Sequence, residues 1–475
     1  MGATENDAQA TLPIRPAPAA ANGSSPATFG PSLLGQFPFD PEYRNMNHGS
    51  FGSIPKAIQA KLRDYQDQAE AKPDKFIRFT GPQLRDESRA AVAKVLNAPT
   101  DTVVLVSNAT TALNVVLRNL TWNPDGKDEI LYFQTIYGAC GKTVDYIVDT
   151  NNGNVSSRCI TITYPAEDDE IVELFRAAVK TSTEQDHKRP RVCIIDSVSS
   201  LPGVRFPWEA VTGACRELGV LSLVDGAQGI GMIDIDLAAA DPDFFLSNCH
   251  KWLHTPRGCA VLYVPLRNQH LMVSTLPTSH GYIPKSAAGG PRANPLPKSA
   301  AAKSAFVSNF EFSGTIDNSP YYCIQDAVRW REQTLGGEAA VIRYCEDLAR
   351  AGGLRIAEML GTKVLDNKSR SLSRCAMTNV CLPVKVVDSA SASATAAADD
   401  TATVTVPAQD VPLVLQWIQH ELPHAYGTFV PVYLFQGEIW TRVSAQVYLD
   451  LADFEWLAER LREIVARVSK GDYKA

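Results

Sequence analysis

The chain has 475 residues, more than one hydrophobic core usually organises, so two or three domains are expected. With 45% hydrophobic and 20% charged residues it can bury a sizeable core, which excludes disorder as a global description. Its 45 basic against 52 acidic residues leave a net charge of -7, which excludes a general attraction to nucleic acid or to anionic membranes.

Residues 1–36 begin with an Ala- and Pro-rich stretch that carries Glu5, Asp7 and a single basic residue, Arg15, without the basic-then-apolar order of a secretory leader; they read as a disordered tail. No apolar run reaches the roughly 18 residues that a membrane span needs. The ten cysteines are scattered, with no C-x-x-C pair, so reduced thiols, no metal centre and a cytoplasmic address are expected. Residues 37–80 form an N-terminal segment expected to pack with the smaller domain. Within it Ile58, Leu62, Tyr65 and Ala69 recur at spacings of four, three and four, the mark of an amphipathic helix that starts at Pro55. A second helix is predicted over 83–96.

From residue 102 short β-branched runs alternate with helical stretches. Strands are predicted at 102–106, 130–133, 158–163, 191–196, 220–225, 244–247 and 259–264. Such alternation predicts an α/β domain over 81–320, with about seven mostly parallel strands covered by helices on both faces. The stretches 284–304 and 388–402 are low in complexity and read as surface excursions. The remainder, 321–475, predicts a smaller α+β domain with helices at 321–334, 338–360 and 451–468 and strands at 376–382, 426–435 and 439–443.

Three places carry chemistry. Asp225 ends an apolar strand and precedes a small-residue turn, and ligands of open parallel sheets bind beyond the carboxyl ends of strands. Lys251 follows another apolar strand, where burial would lower its pKa and free it for Schiff-base chemistry. The turn Ser107-Asn108-Ala109-Thr110-Thr111 opens a helix, whose capping side chain and free N–H groups suit a phosphate. An aldehyde needs a lysine, a pyridine nitrogen needs a carboxylate, and a phosphate needs a helix start: together these fit pyridoxal 5'-phosphate.

These motifs resemble those of the class V aminotransferase group of fold type I pyridoxal phosphate enzymes. The resemblance spans about residues 40–468 and rests on Asn47-His48-Gly49-Ser50-Phe51-Gly52, the Asn108-Ala109-Thr110-Thr111 turn, Asp225-Gly226-Ala227-Gln228, His250-Lys251-Trp252, Ser313-Gly314-Thr315 and Thr441-Arg442-Val443-Ser444. It implies that Lys251 bonds to the cofactor aldehyde and later works as acid and base at the substrate α-carbon. It further implies Asp225 at the ring nitrogen, Gln228 at the ring oxygen, Ala109, Thr110 and His250 at the phosphate, and Asn108 and Asn248 among the cofactor-binding residues. Ser200 would face the ring edge, and Thr315 would arrive from the second subunit of a homodimer. Tyr137 falls where the family stacks a ring over the cofactor, and Arg442 falls where it clamps the substrate carboxylate, with Asn47 and His48 in the same cleft. Taken alone, Arg442 could instead form a structural ion pair, Tyr137 could be core packing, and His48, like His254, could be a packing residue.

The side chains around the cofactor choose the reaction. Cysteine desulfurases of this group commonly carry Ser-x-His-Lys and a mobile cysteine. Here the lysine stands in Asn248-Cys249-His250-Lys251, and no cysteine falls in the low-complexity stretches. The Asn-x-His-Lys-Trp form is similar to the isopenicillin N epimerase-like branch. Within that branch the resemblance implies β-elimination from a cysteine S-conjugate, with carbon–sulfur cleavage and Tyr137 as general acid.

Overall fold

In the computed structural model, residues 28–284, 303–388 and 404–474 are described. The stretches 285–302 and 389–403, which contain most of both low-complexity segments, and residues 1–27 of the expected tail lie outside the described residues. Residues 28–36 differ from the tail expectation: Pro31–Gln36 forms a short 3-10 helix, Leu33 is buried, and the Gly30 N–H donates to the Val447 carbonyl at 2.8 Å. An apolar side chain and a backbone hydrogen bond are enough to dock what composition alone reads as tail.

The large domain holds seven strands: β1 (Val103–Val106), β2 (Asp128–Phe133), β3 (Val155–Ile160), β4 (Arg189–Asp196), β5 (Leu221–Asp225), β6 (Phe244–Asn248) and β7 (Ala260–Tyr263). Their order across the sheet is β1-β7-β6-β5-β4-β2-β3, parallel except that β7 runs antiparallel to both neighbours. Successive side chains go to opposite faces, so continuous apolar runs feed two cores. Val192, Ile194, Leu223, Phe244 and Leu246 enter one core, while Cys193, Ile195, Val224 and Phe245 enter the other. Because β7 is antiparallel to both β1 and β6, those two strands point the same way as β4 and β5. The carboxyl ends of β1, β6, β5 and β4 therefore open on one edge of the sheet, where Asn108, Asn248, Asp225 and Asp196 stand.

The smaller sheet has the order β10-β11-β8-β9, where β8 is Met377–Val387, β9 Val404–Pro407, β10 Val432–Phe435 and β11 Glu438–Ser444. The helices Glu338–Leu360 and Leu451–Ser469 pack against each other and against β8. The helix Val411–Ala425 and β9 have no counterpart in the sequence expectation, and of the expected strand 426–435 only the last four residues form a strand, with Thr428 making an isolated bridge to Arg44. The N-terminal segment divides between partners. Residues near Met46 lie along β11, with the Ser444 N–H donating to the Met46 carbonyl at 2.9 Å, whereas Tyr65, on the helix Lys56–Ala71, donates to Asp326 on the helix Ser319–Leu335 at 2.7 Å. No helix among the described residues is long and apolar enough to cross a membrane.

Two glycines bring the domains together. Gly203, in the loop after β4, lies so close to the small domain that a Cβ would stand 2.7 Å from Arg442 Cδ, and its N–H and carbonyl are both bonded to the Asn379 amide of β8. Gly52 has φ +64°, and a Cβ there would meet the His250 carbonyl oxygen at 1.8 Å. Only glycine allows the N-terminal segment to pass that close to the lysine turn.

Candidate active site

Lys251 sits in the single helical turn Cys249–Trp252 directly after β6. Burial lowers it to about 8; the Arg442 cation adds to this, while Asp225, Cys140 and Asp196 oppose it. The turn is braced from behind. Arg331, fully buried and ion-paired with Glu338, donates to the Trp252 carbonyl at 2.9 Å and to His254 Nδ1 at 2.9 Å, and the Trp252 indole donates to Gln228 Oε1 at 2.7 Å.

Asp225 is buried at the end of β5. Its Oδ1 accepts the Ala227 N–H at 2.9 Å and its Oδ2 accepts the Cys140 thiol at 3.3 Å. Burial raises its pKa, and those two donors together with Lys251 pull it back down. Asp196 ends the neighbouring strand as its register partner and is also buried, with a pKa raised by burial and by the Asp225 charge. Sequence reasoning gives neither Asp196 nor Cys140 a role at the site, although Ile-Ile-Asp196 repeats the pattern of Leu-Val-Asp225.

The phosphate candidates meet at the start of the helix Ala109–Asn119. Asn108 caps it, its Oδ1 accepting the Thr111 N–H at 2.8 Å. Asn248 reaches across from β6 to accept the Ala109 N–H at 2.9 Å, so that amide, expected to face the phosphate, is already engaged. Thr110 keeps a first-turn N–H with no protein acceptor among the described residues. His250 Nδ1 bonds the Cys259 carbonyl at 3.0 Å, which leaves Nε2 for a ligand, and burial lowers this imidazole to about 4. Gln228 also donates from Nε2 to the Gly49 carbonyl at 2.8 Å, so one amide hydrogen is left for a ring oxygen.

Arg442, on β11, is 1% exposed and has no carboxylate partner among the described residues. Its Nη1 donates to the Ser200 carbonyl at 2.8 Å, and its Nη2 donates to Asn47 Oδ1 and Ser50 Oγ, both at 2.9 Å. The structural ion pair is therefore excluded. A guanidinium desolvated without an anion is costly unless a ligand supplies one, and burial lowers it only to about 10, so it stays charged. Ser200, expected at the ring edge, and Asn47, expected on the substrate, instead hold this guanidinium. Ser50 shares that task by donating to Asn47 Oδ1 at 2.8 Å, a role sequence reasoning missed.

His48 is enclosed by the protein rather than open to solvent. It is 1% exposed, packs on Trp252 and His254, and bonds Tyr448 through Nδ1 at 3.1 Å. Tyr137 is 51% exposed at the start of the helix Gly138–Thr150, which excludes core packing. Thr315 lines a separate cavity of about 930 Å³ with Phe79, Ile77 and Ile316, whose lining includes none of Lys251, Asp225 or Arg442. Among the described residues no group of three or more His, Cys, Asp or Glu could hold a metal ion.

The residues thus fit pyridoxal phosphate: a lysine with a lowered pKa between a buried carboxylate and a helix start, with an unpaired buried arginine beside it. Comparison with known proteins agrees. The family model "Aminotransferase class-V" matches residues 53–286. The L-cysteine desulfhydrase-like protein lolT1 of Epichloe uncinata is 35% identical over 93% of this chain and 96% of its own. Hercynylcysteine sulfoxide lyase of Schizosaccharomyces pombe is 30% identical over 92% of this chain and 97% of its own. A cystine C-S lyase, C-DES, solved with cysteine persulfide, superposes with a TM-score of 0.66 over 91% of this chain and 99% of its own at 18% identity, a likeness of fold. The chain belongs to the class V aminotransferase family and is an enzyme of fold type I that uses pyridoxal phosphate.

Proposed function

We propose that the protein is a carbon–sulfur lyase that performs β-elimination on a cysteine S-conjugate, hercynylcysteine sulfoxide in particular. The products are a sulfenic acid, which a thiol reductant converts to ergothioneine, together with pyruvate and ammonia. The named relatives support carbon–sulfur chemistry. The observation that carries lyase over desulfurase is where the thiols lie. Nine of the ten cysteines are buried, and the exposed one, Cys159, is on edge strand β3, separated from β5 by β2 and β4. The thiol at the site, Cys140, is buried and donates to Asp225, so no thiol is free there to accept sulfur and the sulfur leaves on the departing fragment.

Bound at this site, pyridoxal phosphate supplies an aldehyde for the substrate amine and an electron sink for its α-carbon. Thr110 N–H and His250 Nε2 would hold its phosphate, Asp225 its ring nitrogen and the spare Gln228 hydrogen its ring oxygen. Lys251, held near 8, has both protonation states accessible at neutral pH and can take the α-proton. Arg442, oriented by Ser200, Asn47 and Ser50, would bind the α-carboxylate and fix the Cα–H bond toward Lys251. Tyr137, on the solvent side, would give its phenolic proton to the sulfoxide oxygen as the carbon–sulfur bond breaks. The exposed Phe79, Ile77 and Ile316 around Thr315 support a homodimer in which the second subunit covers this cavity and Thr315 enters the neighbouring phosphate site. Ten free cysteines support a cytoplasmic address.

A second reading, desulfhydration of free L-cysteine, is favoured by the higher identity to lolT1. The holoenzyme incubated with hercynylcysteine sulfoxide, its thioether and L-cysteine separates these. Pyruvate and ammonia from the sulfoxide at a kcat/KM above that for cysteine supports the lyase, and sulfide from cysteine alone selects the desulfhydrase. Alanine in place of pyruvate would mean desulfuration, a D-amino acid with no pyruvate would mean epimerisation, and a 2-oxo acid that keeps its sulfur substituent would mean transamination.

A further inference from the structure

The cofactor-facing edge of the sheet holds two carboxylates where the chemistry uses one. Asp196 and Asp225 are register partners on adjacent parallel strands, so their side chains project on the same face. Both are buried, and two carboxylates sharing a desolvated site do not both ionise readily. Their hydrogen bonding is unequal. Asp225 accepts one donor on each oxygen, the Ala227 N–H and the Cys140 thiol, whereas among the described residues no hydrogen bond reaches the Asp196 carboxylate. Hydrogen bonds donated to a carboxylate favour its anion.

We propose that Cys140 is a positioning residue whose thiol, donated to Asp225 Oδ2, keeps Asp225 the ionised member of this pair and leaves the pair's proton on Asp196. The remaining titratable groups facing the pair agree with this arrangement. Lys251 lies near both carboxylates and favours their anions, while Tyr164 lies near Asp196 and carries no charge at neutral pH. Cys140 is itself buried, and burial together with the Asp225 charge pushes its thiol far up, so it keeps its proton and remains a donor. The thiol comes from the first turn of the helix Gly138–Thr150, three residues after Tyr137. One helix start would therefore carry both the orienting donor for Asp225 and the phenol at the mouth of the site.

This inference rests on Asp225 as the partner of the ring nitrogen, and two readouts on the full chain keep the two ideas apart. The first needs no cofactor. In the apo-protein, the infrared S–H stretch obtained as wild type minus Cys140→Ala should lie below that of unbonded thiols, and Asp225→Asn should move it upward. The second is affinity of the apo-protein for pyridoxal phosphate. Cys140→Ala should weaken it on the order of tenfold and Cys140→Ser should restore most of the loss, since one hydrogen bond to a charged group is at stake. Asp196→Asn, which mimics the protonated acid, should stay within about twofold, while Asp225→Asn should lose on the order of 100-fold. An S–H band at the unbonded frequency, or wild-type affinity in Cys140→Ala, overturns the inference, as does an Asp196→Asn loss equal to that of Asp225→Asn. Unchanged affinity in Asp225→Asn would instead overturn the reading of Asp225 itself.

Discussion

Arg442 and Ser200 join the two domains: the guanidinium of β11 donates to the carbonyl of the loop that follows β4 at 2.8 Å. The substrate carboxylate would therefore be received by a small-domain residue aimed by a large-domain loop. Any change in domain docking would move this guanidinium.

Arg442→Lys removes the forked donor while keeping the charge. We expect kcat/KM to fall on the order of 100-fold, mostly through KM, because an ammonium cannot both hold the Ser200 and Asn47 contacts and offer the guanidinium's forked donors to the carboxylate. Cofactor content, read from the visible absorbance, should match wild type. An unchanged KM would mean that the substrate carboxylate binds elsewhere.

Lys251→Ala removes the amine that bonds to the cofactor. Borohydride treatment of wild-type holoenzyme should attach pyridoxyl phosphate to the peptide containing Lys251, as read by mass spectrometry, and the variant should carry no such label and show no turnover. A labelled, active variant would place the chemistry at another lysine.

Tyr137→Phe keeps the ring and deletes the phenolic proton. Turnover of a cysteine S-conjugate should slow on the order of 100-fold if the phenol is the general acid. Because Tyr137 is exposed, the melting temperature should not move. A wild-type rate would reduce Tyr137 to a ring at the mouth of the site.

The buried imidazoles make the fold sensitive to acid. Burial lowers His48 from 6.5 to about 3 and takes His254 well below its ordinary value. In the unfolded chain both take up protons near 6.5. Below that pH the unfolded state binds more protons than the folded one. The stability contribution is thus complete above about 6.5 and declines on acidification by about 1.4 kcal/mol per pH unit for each histidine. Urea unfolding at pH 7 and pH 5 measures this, and His48→Gln should flatten the slope by one proton. Equal slopes in variant and wild type would show that His48 titrates normally in the folded protein.

Amino-acid order alone determined the central strands of the large sheet, because β4, β5 and β6 end in apolar runs cut off by a polar residue, as in Leu-Val-Asp225. Their parallel arrangement and the positions of Lys251, Asp225 and the Asn108 cap beyond strand ends followed from that local pattern. Edge strand β3, Val-Ser-Ser-Arg-Cys-Ile, lies instead at Val155–Ile160 and not at the expected 158–163, because its polar residues hide it. The helix Val411–Ala425 was not legible, since Pro412 and Pro423 fall within it and mask its periodicity. The surroundings of the candidate site were decided only in three dimensions. Ser200 and Asn47 lie 242 and 395 residues from the arginine they hold, and Cys140 lies 85 residues from Asp225. Contacts between such distant positions leave no periodic trace in the chain. Whether Arg442 would find a carboxylate, whether Tyr137 would be buried and which carboxylate would gain donors depended on how the two domains close over one edge of the sheet.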